Sequence, residues 1–498
     1  MGSESEILRN VSISQFYSGK SILVTGATGF MGKVIVEKLL RDCGDLKRIY
    51  ILIRMKRGVD SFRRYQDYVE DTIFKKIREI APERLKKISL IKGDTSQENL
   101  AIDPSDEEEL IENLNIIFHC AAKAKFSLPL REALSFNTVG TLRVLQLATK
   151  IKNLLVFSHV STSYCCPNQR ILEERYQPAC EDPYKVIKLL QSSRESDLDE
   201  IEPRIMKGYP NTYALSKIFA EDLAHSFRDR IKIVITRPSI VTSAWKEPYP
   251  GWVESHKSGL TGCLMAFGRG VLRTVYADPN KMIELIPVDL ADNAIIALTC
   301  KRALMEGNDI LYANINTIGL QSWTMKKYFE YELKLSRKFP LDLMVWYPYL
   351  VVTKNWFYYQ FRRVCYHYVP AYFGDFFCRL AGEKALLVIY QRKFDTAMKT
   401  LRFYNTRDFF WQNDQFKNLH KELSEKDKEI FYCNFEEVEM EQCVKNNVMG
   451  VRKFLLKLND EDSLAFRRGV LQVFGLGNTL VLLRIPIHGW TAPLRFYS

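Results

Sequence analysis

Tyr213 and Lys217 stand four positions apart in the stretch PNTYALSK, Pro210 to Lys217. On a helix that spacing stacks the two side chains on one face, one turn apart. A phenol beside an ammonium can deliver a proton to an oxygen on which negative charge is developing. Tyrosine's ordinary pKa of about 10 is high for that work, and the Lys217 charge is expected to stabilise the phenolate and draw the value down. The three donors of Lys217 suit the ribose hydroxyls of a nicotinamide nucleotide as well. Ser161 and Thr162, in NLLVFSHVSTSY, each offer a hydroxyl to hold the same oxygen, and the sequence does not choose between them. The chemistry is reduction of a carbonyl. Tyrosine and lysine recur at this spacing in many helices, so the meaning of the pair rests on the scaffold.

That scaffold is legible upstream. Ser21–Thr25 in KSILVTGATGFMGKVIVEKLL is a short apolar run that reads as a buried parallel strand, followed by Gly26, Gly29 and Gly32 and an amphipathic helix through Leu40. Gly26 permits the strand-to-helix turn, Gly29 leaves room for a pyrophosphate, and Gly32 lets helix and strand pack closely. The helix N-terminus supplies free N–H groups for the phosphates. Thr25, Thr28 and Phe30 share this loop and are counted with the glycines as cofactor-binding residues. The next strand, Arg48–Ile53, ends in Arg54, with Lys56 and Arg57 beyond, where an acidic residue would favour NAD. The basic set suits the 2′-phosphate of NADP, so NADPH is the expected cofactor. ISLIKGD ends in Asp94, placed to reach the adenine.

NIIFHCAAKAKF is expected as the fourth strand, NLLVFSHVSTSY as the fifth and IKIVITRPSIV as the sixth. The fold class is therefore α/β, a doubly wound parallel sheet of Rossmann type, with ligands at the carboxyl ends of its strands. Strand-end hydroxyl, tyrosine and lysine then converge on one site. No GxSxG or HExxH occurs, and the seven histidines form no metal-ligand spacing, so no metal is expected. His119 and His159 fall within predicted strands and read as core or supporting groups.

The formal charge of +12 over 498 residues points to an anionic partner. No zinc-finger spacing and no long Lys/Arg block is present, so nucleic acid is not expected, and a membrane surface or a polyphosphorylated small molecule is. Eleven scattered cysteines without a CxxC suit a reducing, cytosol-facing environment.

The motifs TGATGFMG, HCAAKAKF, HVSTSY, PNTYALSK, TRPSIV and ADPNKMIELIPVDLADNAII, with a C-terminal part from YHYVPAYFGDFFCRLAGEK to LKL, resemble the alcohol-forming fatty acyl-CoA reductases, a family of extended short-chain dehydrogenase/reductases. VWYP, Val345 to Pro348, is similar to the family's connecting segment. The resemblance implies reduction of a long-chain acyl-CoA by two NADPH to a primary alcohol, through a hemithioacetal that expels CoA and an aldehyde reduced again at Tyr213. The alternatives are a one-step reductase that stops at aldehyde and a non-catalytic NADP-binding sensor. The twelve Lys/Arg against six Asp/Glu in residues 54–92 offer CoA a basic surface, or form a solvated helical face. Lys123 and Lys125, Glu284 and Met440 depart from the family pattern without removing a catalytic group.

The expected organisation is an N-terminal arm (1–19), an NADP-binding reductase domain with substrate insertions (20–320), an aromatic connecting region (321–358), a mainly helical C-terminal domain (359–458) and a basic apolar tail (459–498). Fourteen of the 32 residues from Trp346 to Phe377 are aromatic, broken by Lys354, Arg362 and Arg363. That pattern suits a membrane interface or an acyl groove rather than a spanning helix. Val470 to Leu483 is apolar between arginines and reads as an interfacial anchor or short hairpin. The protein is thus expected on a membrane with its active site facing the cytosol. The resemblance implies endoplasmic reticulum or peroxisome. A homo-oligomer is left open.

Overall fold

The computed structural model describes residues 6–458 apart from 256–258, 343 and 345, so the tail from 459 and Val345 of the connecting segment lie outside the described residues. Seven strands form one sheet: β1 (Ser21–Thr25), β2 (Arg48–Ile53), β3 (Ile88–Lys92), β4 (Ile116–His119), β5 (Val156–Val160), β6 (Ile233–Pro238) and β7 (Leu311–Ile315). Their order is β3-β2-β1-β4-β5-β6-β7, with every neighbouring pair parallel. β1 is buried along its length, as a strand covered by helices on both faces must be. Thr25 lies in register with Leu52 on one side and His119 on the other. The doubly wound sheet is as the sequence implies, and the strand order reverses between β1 and β4.

β7 was not anticipated. Its LYANI carries Asn314 in a fully buried strand, which weakens the apolar signature. Tertiary contacts satisfy the amide: Asn314 Nδ2 donates to Leu172 O at 3.0 Å and Gln412 O at 2.8 Å.

The helices that matter for the site are α1 (Phe30–Asp42), α2 (Gly140–Ala148), α3 (Thr212–Ser226) and α4 (Val288–Leu304). Carbonyls at the end of α1 and just beyond it are satisfied by cations from the basic stretch. Arg84 donates to Leu40 O and Arg41 O, and Lys87 to Gly44 O and Leu46 O. Part of that stretch therefore caps a helix.

The chain forms two compact units, neither of them continuous. The sheet unit comprises the described residues to Val241, Glu284–Leu320 and Phe409–Glu437. The last segment belongs here because its polar groups are spent on the sheet unit's helices and N-terminal arm. Glu422 pairs with buried Lys301 of α4 at 2.8 Å, Asp427 accepts the Ile13 N–H at 2.9 Å, and Ile430 O accepts from Lys38 of α1. The second unit comprises Thr242–Ile283, Gln321–Asp408 and the described residues from Val438. Consecutive domains were expected; in the structure 242–283 leaves the first unit and 409–437 returns to it. Met440 is buried in the second unit.

Candidate active site

At the end of β1 the chain turns at Gly26, whose φ of +73° is left-handed. A Cβ there would lie 2.7 Å from Ala121 N, so the turns after β1 and β4 approach backbone to backbone where the strand order reverses. A Cβ on Gly32 would lie 2.5 Å from Gly26 O. Gly29 is the N-cap of α1 and brings no side chain to the first turn, where an anion would approach. Phe30 opens the helix, partly exposed. This cradle fits a dinucleotide pyrophosphate and would be filled by a larger residue at 26 or 32. Thr25 is buried at the end of β1. Its Oγ1 lies 2.8 Å from His119 Nδ1 and accepts the Ala121 N–H at 3.4 Å, which ties β1 to β4.

Arg54 leaves β2 beside Asp94 (Nη1–Oδ2 3.2 Å) and over the Phe136 ring, 5.2 Å from its centroid. Burial would raise the Asp94 pKa, but hydrogen bonds from Ser96 N and Oγ and the Arg54 charge hold it below its ordinary value. Arg57 is exposed, at a positive φ of 54°. The sequence reading missed Arg64. This residue donates to Arg54 O, and its Nη2 reaches Thr28 Oγ1 at 3.3 Å, inside the glycine loop. Burial, and then the Arg54 charge, lower its pKa. Two guanidiniums thus crowd one edge of the crevice, an arrangement that an anion would relieve. The signal was ten residues beyond Arg54, on a different element, and no local pattern connects the two.

Tyr213 and Lys217 lie on α3, whose start is fixed by Asn211 Oδ1 accepting the Ala214 N–H at 2.9 Å. Ser161 and Thr162 directly follow β5. The Thr162 side chain draws the Tyr213 pKa down and its Oγ1 accepts the Tyr164 N–H at 3.3 Å, whereas Ser161 Oγ is buried without a partner among the described residues. The structure therefore brings Thr162 to the tyrosine. Burial, with a contribution from Cys165, raises Tyr213 to about 12 against the pull of Thr162. Lys217 Nζ donates to Val160 O at 2.7 Å and lies 3.4 Å from His159 Nε2, and burial lowers it to about 8 against the charge of Glu221. Both histidines are buried and stack on each other at 5.4 Å. Burial and Lys217 hold His119 at about 3 and push His159 well below its usual value, so both are neutral.

Two supports of α3 also escaped the sequence. Asn137 sits in a π-helical segment, Leu134–Val139, that precedes α2. It accepts the Lys123 N–H at 2.8 Å and donates to Ser216 Oγ at 2.9 Å, and Ser216 Oγ donates to Tyr213 O at 2.8 Å. This chain couples the exit of β4 to the first turn of α3. Farther along α3, Glu221 pairs with Arg237 of β6. Lys123, at the β4 exit, bonds Glu132 at 2.7 Å and covers the Phe136 ring, while Lys125 is exposed. Glu284 accepts from Thr317 N and Oγ1.

Residues 24–295 match an NAD-binding family described as "Male sterility protein", and residues 366–458 match the Sterile family of the same description. Fatty acyl-CoA reductase 1 of Xenopus laevis is 33% identical over 453 residues, covering 91% of this chain and 87% of the relative. Fatty acyl-CoA reductase 2 of Homo sapiens is 34% identical over 446 residues, with coverage of 90% and 86%. Among solved structures, the reductase domain of a nonribosomal peptide synthetase from Mycobacterium tuberculosis superposes with a TM-score of 0.59 at 16% identity, covering 92% of this chain and 97% of that one. The terminal R domain of the myxalamid pathway gives 0.57 at 18% identity, with 89% and 93% coverage. These two likenesses show a shared fold.

Proposed function

The chain belongs to the fatty acyl-CoA reductase family, and from that premise we propose that it reduces long-chain acyl-CoA with NADPH to the primary alcohol and releases CoA. The observation that carries the reading is the placement of Thr162, just beyond β5, beside Tyr213 in the first turn of α3, next to a dinucleotide crevice. When bound, the nicotinamide cofactor supplies hydride to the carbonyl carbon. Gly26, Gly29 and Gly32 make room for its pyrophosphate, and Lys217 is the donor available to its ribose.

The remaining work falls to the chain's own groups. Thr162 and Tyr213 stand beside each other, so a substrate carbonyl oxygen entering between them accepts from both hydroxyls as it becomes an alkoxide. With Tyr213 raised to about 12, the phenol is protonated at neutral pH, the form that donation requires. Protonation of the first oxyanion by Tyr213 yields a hemithioacetal, whose hydroxyl proton returns to the Tyr213 phenolate as the C–S bond breaks and CoA thiolate leaves. The aldehyde carbonyl then occupies the same donors, and the reprotonated Tyr213 completes the alcohol as a second hydride is delivered, regaining its proton from solvent. Preference for NADPH is supported by Arg54 and Arg64 beside Thr28, where a 2′-phosphate would meet two guanidiniums.

The test is NADPH oxidation by the detergent-purified full chain with acyl-CoAs of graded length, with lipid extraction. Alcohol at two NADPH per CoA released is the expected outcome. Aldehyde at one NADPH per CoA assigns the one-step reaction, and NADPH binding without turnover assigns a sensor.

A further inference from the structure

The helical rod from Trp356 to Leu380 is inside out. It runs as Trp356–Arg363 (α5), a π turn Val364–Tyr368, and Val369–Leu380 (α6), all within the second unit. A helix on a protein surface in water buries its apolar stripe and exposes its charges. Here Arg362, His367 and Asp375 are buried. Arg362 is sandwiched among rings, 4.4 Å from the Tyr366 centroid and 5.3 Å from that of Tyr349. His367 Nε2 accepts the Arg273 N–H at 3.0 Å, and Asp375 accepts the N–H groups of Leu387 and Val388 at the start of the next helix. The polar groups are spent holding the rod to its own unit.

The outer stripe is Phe357, Phe361, Val369, Phe373, Phe376 and Leu380, all exposed, Phe357 by 85% and Leu380 by 69%. Its spacing is mostly four residues, which drifts around an α-helix of 3.6 residues per turn. A π turn lies midway along the roughly 35 Å rod, and further exposed rings, among them Tyr358, Tyr372 and Phe377, widen the stripe into a broad apolar face. An apolar face of this extent marks an interaction site.

We infer that this face docks on an anionic lipid bilayer, lying in the headgroup region rather than crossing it. Charge selects the occupant. Residues 354–393 hold seven Lys/Arg against Asp375 and Glu383, and Lys354, Arg379, Lys384, Arg392 and Lys393 are exposed. A second copy facing the first would set these cations against each other. The segment from Ala465 onward carries Arg467, Arg468, Arg484 and Arg495 and no acid, so it does not complement them either. Anionic headgroups do, and aromatic side chains favour the depth at which a headgroup layer lies. No helix among the described residues is long and apolar enough to span a membrane, as a face-down mode requires of this rod. The inference rests on the surface alone and is independent of the reaction catalysed.

Cys365 is exposed in the π turn and Cys180 is exposed on the sheet unit, so the chain carries its own probe and control. Alkylation of both in the full-length protein is followed by mass spectrometry, with phosphatidylcholine vesicles with and without phosphatidylserine. Vesicles containing phosphatidylserine are expected to slow Cys365 by about tenfold or more and to leave Cys180 unchanged. The Phe357→Ser/Phe361→Ser/Phe373→Ser/Phe376→Ser variant, altered only at exposed positions, is expected to lose that protection. Protection retained in the variant, or equal protection by phosphatidylcholine alone, overturns the assignment. Protection that rises with protein concentration without vesicles assigns the face to a second copy. Protection already complete in dilute protein assigns it to the chain's own tail. Either result also overturns the bilayer.

Discussion

The guanidinium of Arg237 holds the carboxylate of Glu221 through three contacts of 2.6 to 3.1 Å, both side chains shut off from solvent. Glu221 is one turn beyond Lys217 on α3, and Arg237 is on β6, so the pair clamps the helix that carries Tyr213 and Lys217 to the sheet. Arg237 also donates to Glu173 O at 3.0 Å and Arg175 O at 3.3 Å. Glu221→Gln leaves a buried cation without its counter-charge, and a loss of about 3–5 kcal/mol in stability is expected. The Glu221→Leu/Arg237→Met double variant is expected to recover part of it. Denaturant midpoints measure both, and a Glu221→Gln protein as stable as the parent would remove the clamp from the account.

At the site itself, Tyr213→Phe is expected to cut turnover by about 10²–10⁴-fold with the fold intact. Thr162→Val is expected to cost about 10²–10³-fold, and Ser161→Ala little, because Thr162 is the hydroxyl that acts on the phenol. Steady-state rates of acyl-CoA reduction decide it. The reverse ranking of the two hydroxyls would refute the geometry proposed for the oxyanion.

The pH profile follows from Lys217. Its pKa is lowered to about 8 by burial, so the ammonium present at neutral pH is lost as pH rises through that value. If its charge assists the reaction, kcat is expected to fall on the alkaline side with an apparent pKa of about 8, before Tyr213 ionises at about 12. A profile flat through pH 9 would indicate that the Lys217 charge is not used.

The proposed preference for NADPH rests on Arg54 and Arg64. Arg64→Gln is expected to raise the KM for NADPH about tenfold or more while that for NADH changes little. Equal effects on both cofactors would show that Arg64 only positions Thr28.

Asp292 lies buried in α4 with neither carboxylate oxygen hydrogen-bonded. Burial, and then Asp289, raise its pKa well above 3.8. The native state therefore keeps this proton more tightly than the unfolded chain, and the group's contribution to stability is greatest below about pH 4 and declines as pH rises toward the folded pKa. Asp292→Leu is expected to stabilise the protein at neutral pH by about 1–3 kcal/mol and less in acid. Melting temperatures at about pH 4 and pH 7 test the sign.

Local pattern was enough to identify several parts of this protein. Glycine is needed at 26 because the backbone there is left-handed and meets Ala121, and a strand followed by such a turn is written in consecutive residues. Six of the seven strands are apolar runs, and the Tyr213–Lys217 pair needs only one helical turn. Tertiary structure decided what depends on distant partners. It brought Arg64 to Thr28, Asn137 to Ser216 and Glu221 to Arg237, and it hid β7 behind an asparagine whose acceptors lie at Leu172 and Gln412. It placed 409–437 with the sheet rather than with its neighbours in sequence. It also settled which side of the aromatic rod faces inward, because Arg362, His367 and Asp375 are buried within its own unit while most of its rings lie outside, the reverse of what helical periodicity alone leads one to assume.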